Sequence, residues 1–145
     1  MWRTFFLLLA ITSLHSCSPD LTDDPIPRDT FSAVTINLNL PSYVKLFTDG
    51  GWVYYDDVGV RGIIIYRLNS STYLAYERNC SYQPNSACAT VNVDISNLFM
   101  FDACCNSAFD FSDGTPTGGP AWRPLLQYET VLNGSELTIT DVVAN

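Results

Sequence analysis

Gly62-Ile63-Ile64-Ile65-Tyr66-Arg67-Leu68-Asn69-Ser70-Ser71-Thr72-Tyr73-Leu74-Ala75-Tyr76-Glu77-Arg78 places two runs of β-branched and aromatic residues on either side of the polar turn Asn69-Ser70-Ser71. Such side chains suit a pleated, half-buried surface, and the polar break folds the chain back, so the stretch predicts an antiparallel hairpin. Upstream, Asp49-Gly50-Gly51 turns into Trp52-Val53-Tyr54-Tyr55, and Val34, Ile36, Leu38 and Leu40 alternate with Thr35, Asn37 and Asn39 up to Pro41. Downstream, strands are expected at Thr90–Val93, Leu98–Phe101, Ala108–Phe111, Leu125–Leu132 and Glu136–Thr140, the last two joined by the hairpin dipeptide Asn133-Gly134. No window sustains a helical period. The prediction is an all-β domain of roughly nine short antiparallel strands in stacked sheets or a small barrel.

The 145 residues are one domain's length, and 47% hydrophobic content supplies a core. With 7 Lys plus Arg against 15 Asp plus Glu the net charge is −8, which repels phosphate and argues against nucleic acid as a partner. Low charge density and five cysteines fit an exported, disulfide-permissive protein. At the N-terminus, Arg3 precedes an apolar run through Leu14 that is too short to span a bilayer and suits a signal peptide. The run ends in Leu14-His15-Ser16-Cys17, which resembles a bacterial lipobox and implies a signal peptide over residues 1–16 and lipidation of Cys17. Residues 17–30, rich in Pro and Asp, are expected to be a flexible acidic linker, and residues 31–145 the β domain. The acidic stretch resembles the export signals of surface lipoproteins of the Bacteroidetes. The expected location is a membrane-anchored lipoprotein of the outer membrane, engaged through its lipid, with the domain either at the cell surface, as the resemblance implies, or facing the periplasm.

Cleavage would remove Arg3 and His15, the one histidine, leaving six basic residues against 15 acidic. Catalytic triads, Cys-His dyads and His-ligated metals are then excluded. Four cysteines remain, Cys80, Cys88, Cys104 and Cys105, all expected in loops after strands. Four allow three pairings, and the adjacent Cys104 and Cys105 are not expected to pair with each other.

The segments Cys80-Ser81-Tyr82, then Cys104-Cys105-Asn106-Ser107-Ala108-Phe109-Asp110-Phe111, and Gly119-Pro120-Ala121 ahead of Pro124-Leu125, resemble the three loops of Rieske [2Fe–2S] domains, over roughly residues 33–141. The resemblance implies a Rieske-like fold of stacked antiparallel sheets with a three-loop, cluster-binding subdomain. Its ligand positions fall on Cys80, Tyr82, Asp102 and Cys105, where the family has two Cys and two His. The resemblance also implies a Cys88–Cys104 disulfide between two of the loops, leaving Cys80 and Cys105 to face each other and close a second bridge. The expectation is an envelope lipoprotein with no cluster and a structural or binding role toward an unidentified protein partner, not an enzyme. The alternatives are [2Fe–2S] electron transfer, a redox-active thiol pair with Arg78 as its activating charge, and zinc on Cys80, Cys88, Cys104 and Cys105. A stacking platform among Trp52, Tyr54, Tyr55, Tyr66, Tyr73, Tyr76 and Trp122, and calcium at Asp56-Asp57, are weaker candidates against core packing and a solvated turn.

Overall fold

A computed structural model describes residues 24–145, so the signal peptide, Cys17 and the first part of the linker lie outside the described residues. Ten strands are present among the described residues: β1 (Val34–Asn37), β2 (Trp52–Tyr55), β3 (Ile63–Asn69), β4 (Thr72–Glu77), β5 (Asn92–Val93), β6 (Met100–Asp102), β7 (Ser107–Phe109), β8 (Pro116–Gly118), β9 (Gln127–Asn133) and β10 (Glu136–Val143). They form a six-stranded sheet in the order β1-β10-β9-β4-β3-β2 and a four-stranded sheet in the order β5-β6-β7-β8, every pairing antiparallel. The expected class, all-β with stacked antiparallel sheets and a three-loop subdomain, is what the chain adopts.

The β3–β4 hairpin organises both cores. Successive strand residues face opposite sides, so Ile63 and Ile65 of β3 and Tyr73 and Ala75 of β4 enter one core, while Ile64, Leu74 and Tyr76 enter the other. The first core draws Ile36, Val53, Tyr128, Leu137 and Ile139 from the remaining strands of the large sheet, which must therefore curl around its own inner face. The second core sets Ile64, Leu74 and Tyr76 against Met100 and Phe109 of the small sheet. Three consecutive buried isoleucines are what a strand covered on both faces requires. Because β4 pairs directly with β9, residues 78–126 form an excursion that leaves and re-enters the large sheet at neighbouring strands.

One element was not expected. Pro41–Phe47 is a 3-10 helix, and β1 ends at Asn37 rather than Leu40. Asn37 Oδ1 accepts the Asn39 N–H, the Leu40 N–H bonds back to the Asn37 carbonyl, and Pro41 enters at the first turn, where its fixed φ suits a helix. Three residues per turn bring Tyr43 and Leu46 to one side, against the first core. A period of three over seven residues escapes a search for longer amphipathic helices. The strands of the small sheet are also shorter than expected, and β8 appears where no strand was expected; Pro116 is tolerated because β8 is an edge strand. Asn133-Gly134 makes the expected tight hairpin, with Glu136 opposite Asn133.

The buried Glu77, at the end of β4, ties these parts together. Its Oε1 accepts the N–H groups of Arg61 and Asn79 at 3.0 Å each, and Oε2 accepts the Val60 N–H and the Tyr128 hydroxyl at 2.8 Å each. Four donors replace the water this carboxylate gave up. The described part of the expected linker lies on the domain: Ile26 packs against the first core and the Asp24 carbonyl accepts from Arg123. Among the described residues no helix is long and apolar enough to cross a membrane.

Candidate functional site

Three loops of the excursion meet at one end of the second core. Residues 79–91 form the first, the β6–β7 turn at residues 103–106 the second, and residues 119–126 the third. Arg61, outside all three, pins the first loop: its guanidinium donates to Asn79 Oδ1, the Ser86 and Ala87 carbonyls and Thr90 Oγ1. A Cys88–Cys104 disulfide, Cα–Cα 5.6 Å, joins the first loop to the second. The third reaches the first through Arg123, whose guanidinium donates to the Ser81 carbonyl and whose own carbonyl accepts the Ser81 hydroxyl. It reaches the second where the Ala121 N–H donates to Ser107 Oγ and where Gly119, at φ +82°, crosses the turn backbone. A β-carbon on Gly119 would overlap the Asn106 carbonyl oxygen and stand 2.5 Å from the Ser107 α-carbon, so no side chain fits there.

Inside this frame Cys80, Asp102 and Cys105 converge, with their sulfurs and a carboxylate oxygen all within 4.8 Å of one another. Cys80 and Cys105 do not close the expected second bridge: they are thiols, Sγ to Sγ 3.7 Å, well beyond the roughly 2.05 Å of a disulfide. Cys105 Sγ is also 3.3 Å from Asp102 Oδ2 and 3.1 Å from Ser107 Oγ, while Asp102 Oδ1 accepts the Cys104 N–H at 2.8 Å. Cys80 is wholly buried and Asp102 is 1% exposed, whereas Cys105 keeps some contact with solvent. Burial, and then the hydrogen bond and negative charge of Asp102, push the Cys80 thiol up from the usual thiol range; a Tyr82 backbone N–H acts in the opposite sense. Asp102 and Ser107 face each other across the β6–β7 pair, which places carboxylate and hydroxyl on either side of Cys105.

Of the expected ligand positions, three are therefore brought together. The fourth, Tyr82, packs its ring against the second core and offers Cys80 its backbone N–H. The Cys88–Cys104 bond is formed, so those two sulfurs are not thiolates available to a four-cysteine zinc site. Arg78, the expected activating charge, is held by other partners: its guanidinium reaches Asp56 at 2.6 Å, the Val91 carbonyl and Asn92 Oδ1 and lies 4.1 Å from the Tyr54 ring centroid. The same ion pair occupies Asp56. The aromatic residues do not gather into one platform: Trp52 and Tyr54 lie together, ring centroids 4.9 Å apart, but Tyr73 lies in the first core, Tyr76 in the second with its hydroxyl on the Phe111 carbonyl, Tyr66 stacks on Phe111, and Trp122 stands exposed beside Arg123. Arg61, Glu77 and Ser107 were missed as positioning residues. An isolated acid at the end of an otherwise apolar strand is the signal that marks Glu77.

Neither a protein-family model nor a curated protein matches the chain. Among solved structures it is similar to a chain of the complex of reduced oxygenase and oxidised ferredoxin in carbazole 1,9a-dioxygenase, at TM-score 0.49 and 17% identity over 68% of this chain and 87% of that one. It is also similar to the ferredoxin of carbazole 1,9a-dioxygenase from Nocardioides aromaticivorans IC177, at TM-score 0.44 and 19% identity over 64% of this chain and 86% of that one.

Proposed function

We propose that this chain is an envelope lipoprotein, held to the membrane through Cys17, whose Rieske-like β domain carries no [2Fe–2S] cluster and serves a structural or binding role. The donor set where the loops meet carries the reading: two thiols, one carboxylate and no imidazole, since the single histidine of the sequence precedes the domain. A Rieske centre needs two cysteines on one iron and two histidines on the other. Tyr82, at one histidine position, is engaged through its backbone and its ring. Asp102, at a cysteine position, already holds the turn through the Cys104 N–H. These residues do not fit the cluster. What they support is a set of loops held by a disulfide and by the bonds from Arg61, Ser81, Arg123 and Ser107.

The full chain, purified without air, is expected to be colourless and free of iron and acid-labile sulfide. Two irons and two sulfides per chain, with visible charge-transfer bands, overturn the cluster-free reading. Cys17→Ala is expected to move the protein from the membrane fraction to the soluble one; unchanged membrane recovery overturns the lipid tether.

The 3.7 Å contact between Cys80 and Cys105 favours a second reading, a two-electron thiol couple. A disulfide-class oxidant balances the step: its S–S bond breaks, it takes up the two electrons and two protons of Cys80 and Cys105 to leave as two thiols, and one Cys80–Cys105 S–S bond forms. Titration against glutathione couples tests it, with two alkylatable thiols expected to disappear and return together.

A further inference from the structure

We infer that Cys80, Cys105 and Asp102 form a mononuclear site for one divalent ion of the zinc class, with the fourth coordination position open. The inference rests on the cluster-free reading, because these three donors cannot serve a cluster and a single ion together.

The spacing of the donors is the first support. A tetrahedral ion with metal–sulfur bonds near 2.3 Å and a metal–oxygen bond near 2.1 Å separates its two sulfurs by about 3.8 Å and each sulfur from the oxygen by about 3.6 Å. Cys80 Sγ and Cys105 Sγ stand 3.7 Å apart, and Cys105 Sγ stands 3.3 Å from Asp102 Oδ2. Two edges of one tetrahedral face are thus near these values, and the three donor atoms all lie within 4.8 Å of one another. A Cys80–Cys105 disulfide would instead require the sulfurs to close to about 2.05 Å. Donor chemistry is the second support: two thiolates with one carboxylate suit a borderline ion, whereas calcium and magnesium prefer oxygen throughout.

The surroundings also match what an ion would need. Ligand groups work best when their remaining hydrogen-bonding capacity is taken up by fixed partners. Here the Tyr82 N–H meets Cys80 Sγ, the Cys104 N–H holds Asp102 Oδ1 and leaves Oδ2 toward the sulfurs, and Ser107 Oγ lies beside Cys105 Sγ. The Ser107 hydroxyl accepts the Ala121 N–H, so its own proton is free to turn toward a Cys105 thiolate. The Cys88–Cys104 bond fixes the turn that carries Cys105 and keeps its own two sulfurs out of the set. Cys105 is the solvent-facing member, so the fourth position opens on its side to water or a small anion. Loading balances as two thiols and one carboxylate taking up M²⁺ with release of two protons.

The test is cobalt titration of the full chain, kept anaerobic in a mild reductant, with intact mass confirming that the Cys88–Cys104 bond survives. One Co²⁺ per chain is expected, with thiolate-to-cobalt charge-transfer absorption and tetrahedral ligand-field bands that one equivalent of Zn²⁺ erases. Zinc loading is expected to release about two protons, one per thiol. Asp102→Asn is expected to weaken cobalt binding at least tenfold, and Cys105→Ser to abolish the tetrahedral bands. The double variant Cys88→Ala/Cys104→Ala, checked for retained fold by near-ultraviolet circular dichroism, is expected to keep the tetrahedral bands, since neither sulfur is a donor, at weaker affinity because the turn that carries Cys105 loses its tie. Colourless, iron-free protein with both thiols alkylatable but no cobalt bands overturns this inference and leaves the proposed function standing. Unchanged affinity in a folded Asp102→Asn chain overturns it too. An iron–sulfide cluster overturns both readings.

Discussion

Gly119→Ala tests how the third loop closes the site. Two costs act at this position. An L-residue held at φ +82° pays about 1–2 kcal/mol for the left-handed backbone alone. The added methyl would also overlap the Asn106 carbonyl oxygen and stand 2.5 Å from the Ser107 α-carbon, both backbone atoms that cannot rotate away. Relief requires the third loop to lift by about 1 Å, which weakens the Ala121 to Ser107 hydrogen bond, worth about 1 kcal/mol. The sum is about 3 kcal/mol, or about 10 °C in melting temperature for a domain of this size. Gly134→Ala is the control. Gly134 sits at φ +60° with no atom within 4 Å of where a β-carbon would stand, so it isolates the backbone cost of about 1–2 kcal/mol. Thermal unfolding of both variants, with the alkylation rate of Cys105, reads the difference. Gly119→Ala is expected to melt well below Gly134→Ala and to expose Cys105 to faster alkylation. Equal shifts in the two variants, with Cys105 alkylation unchanged, would refute the crossing as the clamp of the site.

Replacing Cys88 and Cys104 with serine opens a loop of sequence separation 16 and is expected to cost about 3 kcal/mol in urea unfolding. Arg61→Met removes the donors to Asn79, Ser86, Ala87 and Thr90; we expect about 2–4 kcal/mol and loss of hydrogen-exchange protection at Cys80 and Ala89, with β9 and β10 unaffected. The phenols of Tyr76 and Tyr128 are raised above their ordinary value near pH 10, by burial first and then by Asp113 and Asp110 beside Tyr76 and by Glu77 beside Tyr128. Their contribution to stability is complete below about pH 10 and is lost above it, where the unfolded chain ionises and the folded one does not. Urea midpoints are therefore expected to fall above pH 10, with a shallower slope in Tyr76→Phe.

The large sheet was legible because its strands carry their own signals: a polar turn between apolar runs at Asn69-Ser70-Ser71, alternation from Val34 to Leu38, and Asn133-Gly134. The 3-10 helix at Pro41–Phe47 was not, because Tyr43 and Leu46 repeat too briefly to register. The small sheet was legible only in outline. Its strands are two or three residues long, and tertiary contacts through Arg61, Ser107 and the Cys88–Cys104 bond, more than local pattern, fix where they begin and end. Convergence of Cys80, Asp102 and Cys105 followed from the loop resemblance. The state of the thiols did not, since no spacing rule says how far apart two facing sulfurs come to rest.

The residues that carry the resemblance do work in the loops that needs no cofactor. Ser107 receives the third loop through Ala121, Phe109 fills the second core, and Asp110 holds the next turn by accepting from the Ser112 N–H and hydroxyl. Gly119 is required where two backbones cross. These side chains hold the loops whatever the loops carry. The ligand positions are under no such constraint: Tyr82 keeps its backbone bond to Cys80 with almost any side chain, and a carboxylate at position 102 makes the turn bond to Cys104 that a thiol would make poorly. Motif similarity in this chain thus speaks to loop geometry, while the chemistry of the site is decided by Cys80, Asp102 and Cys105.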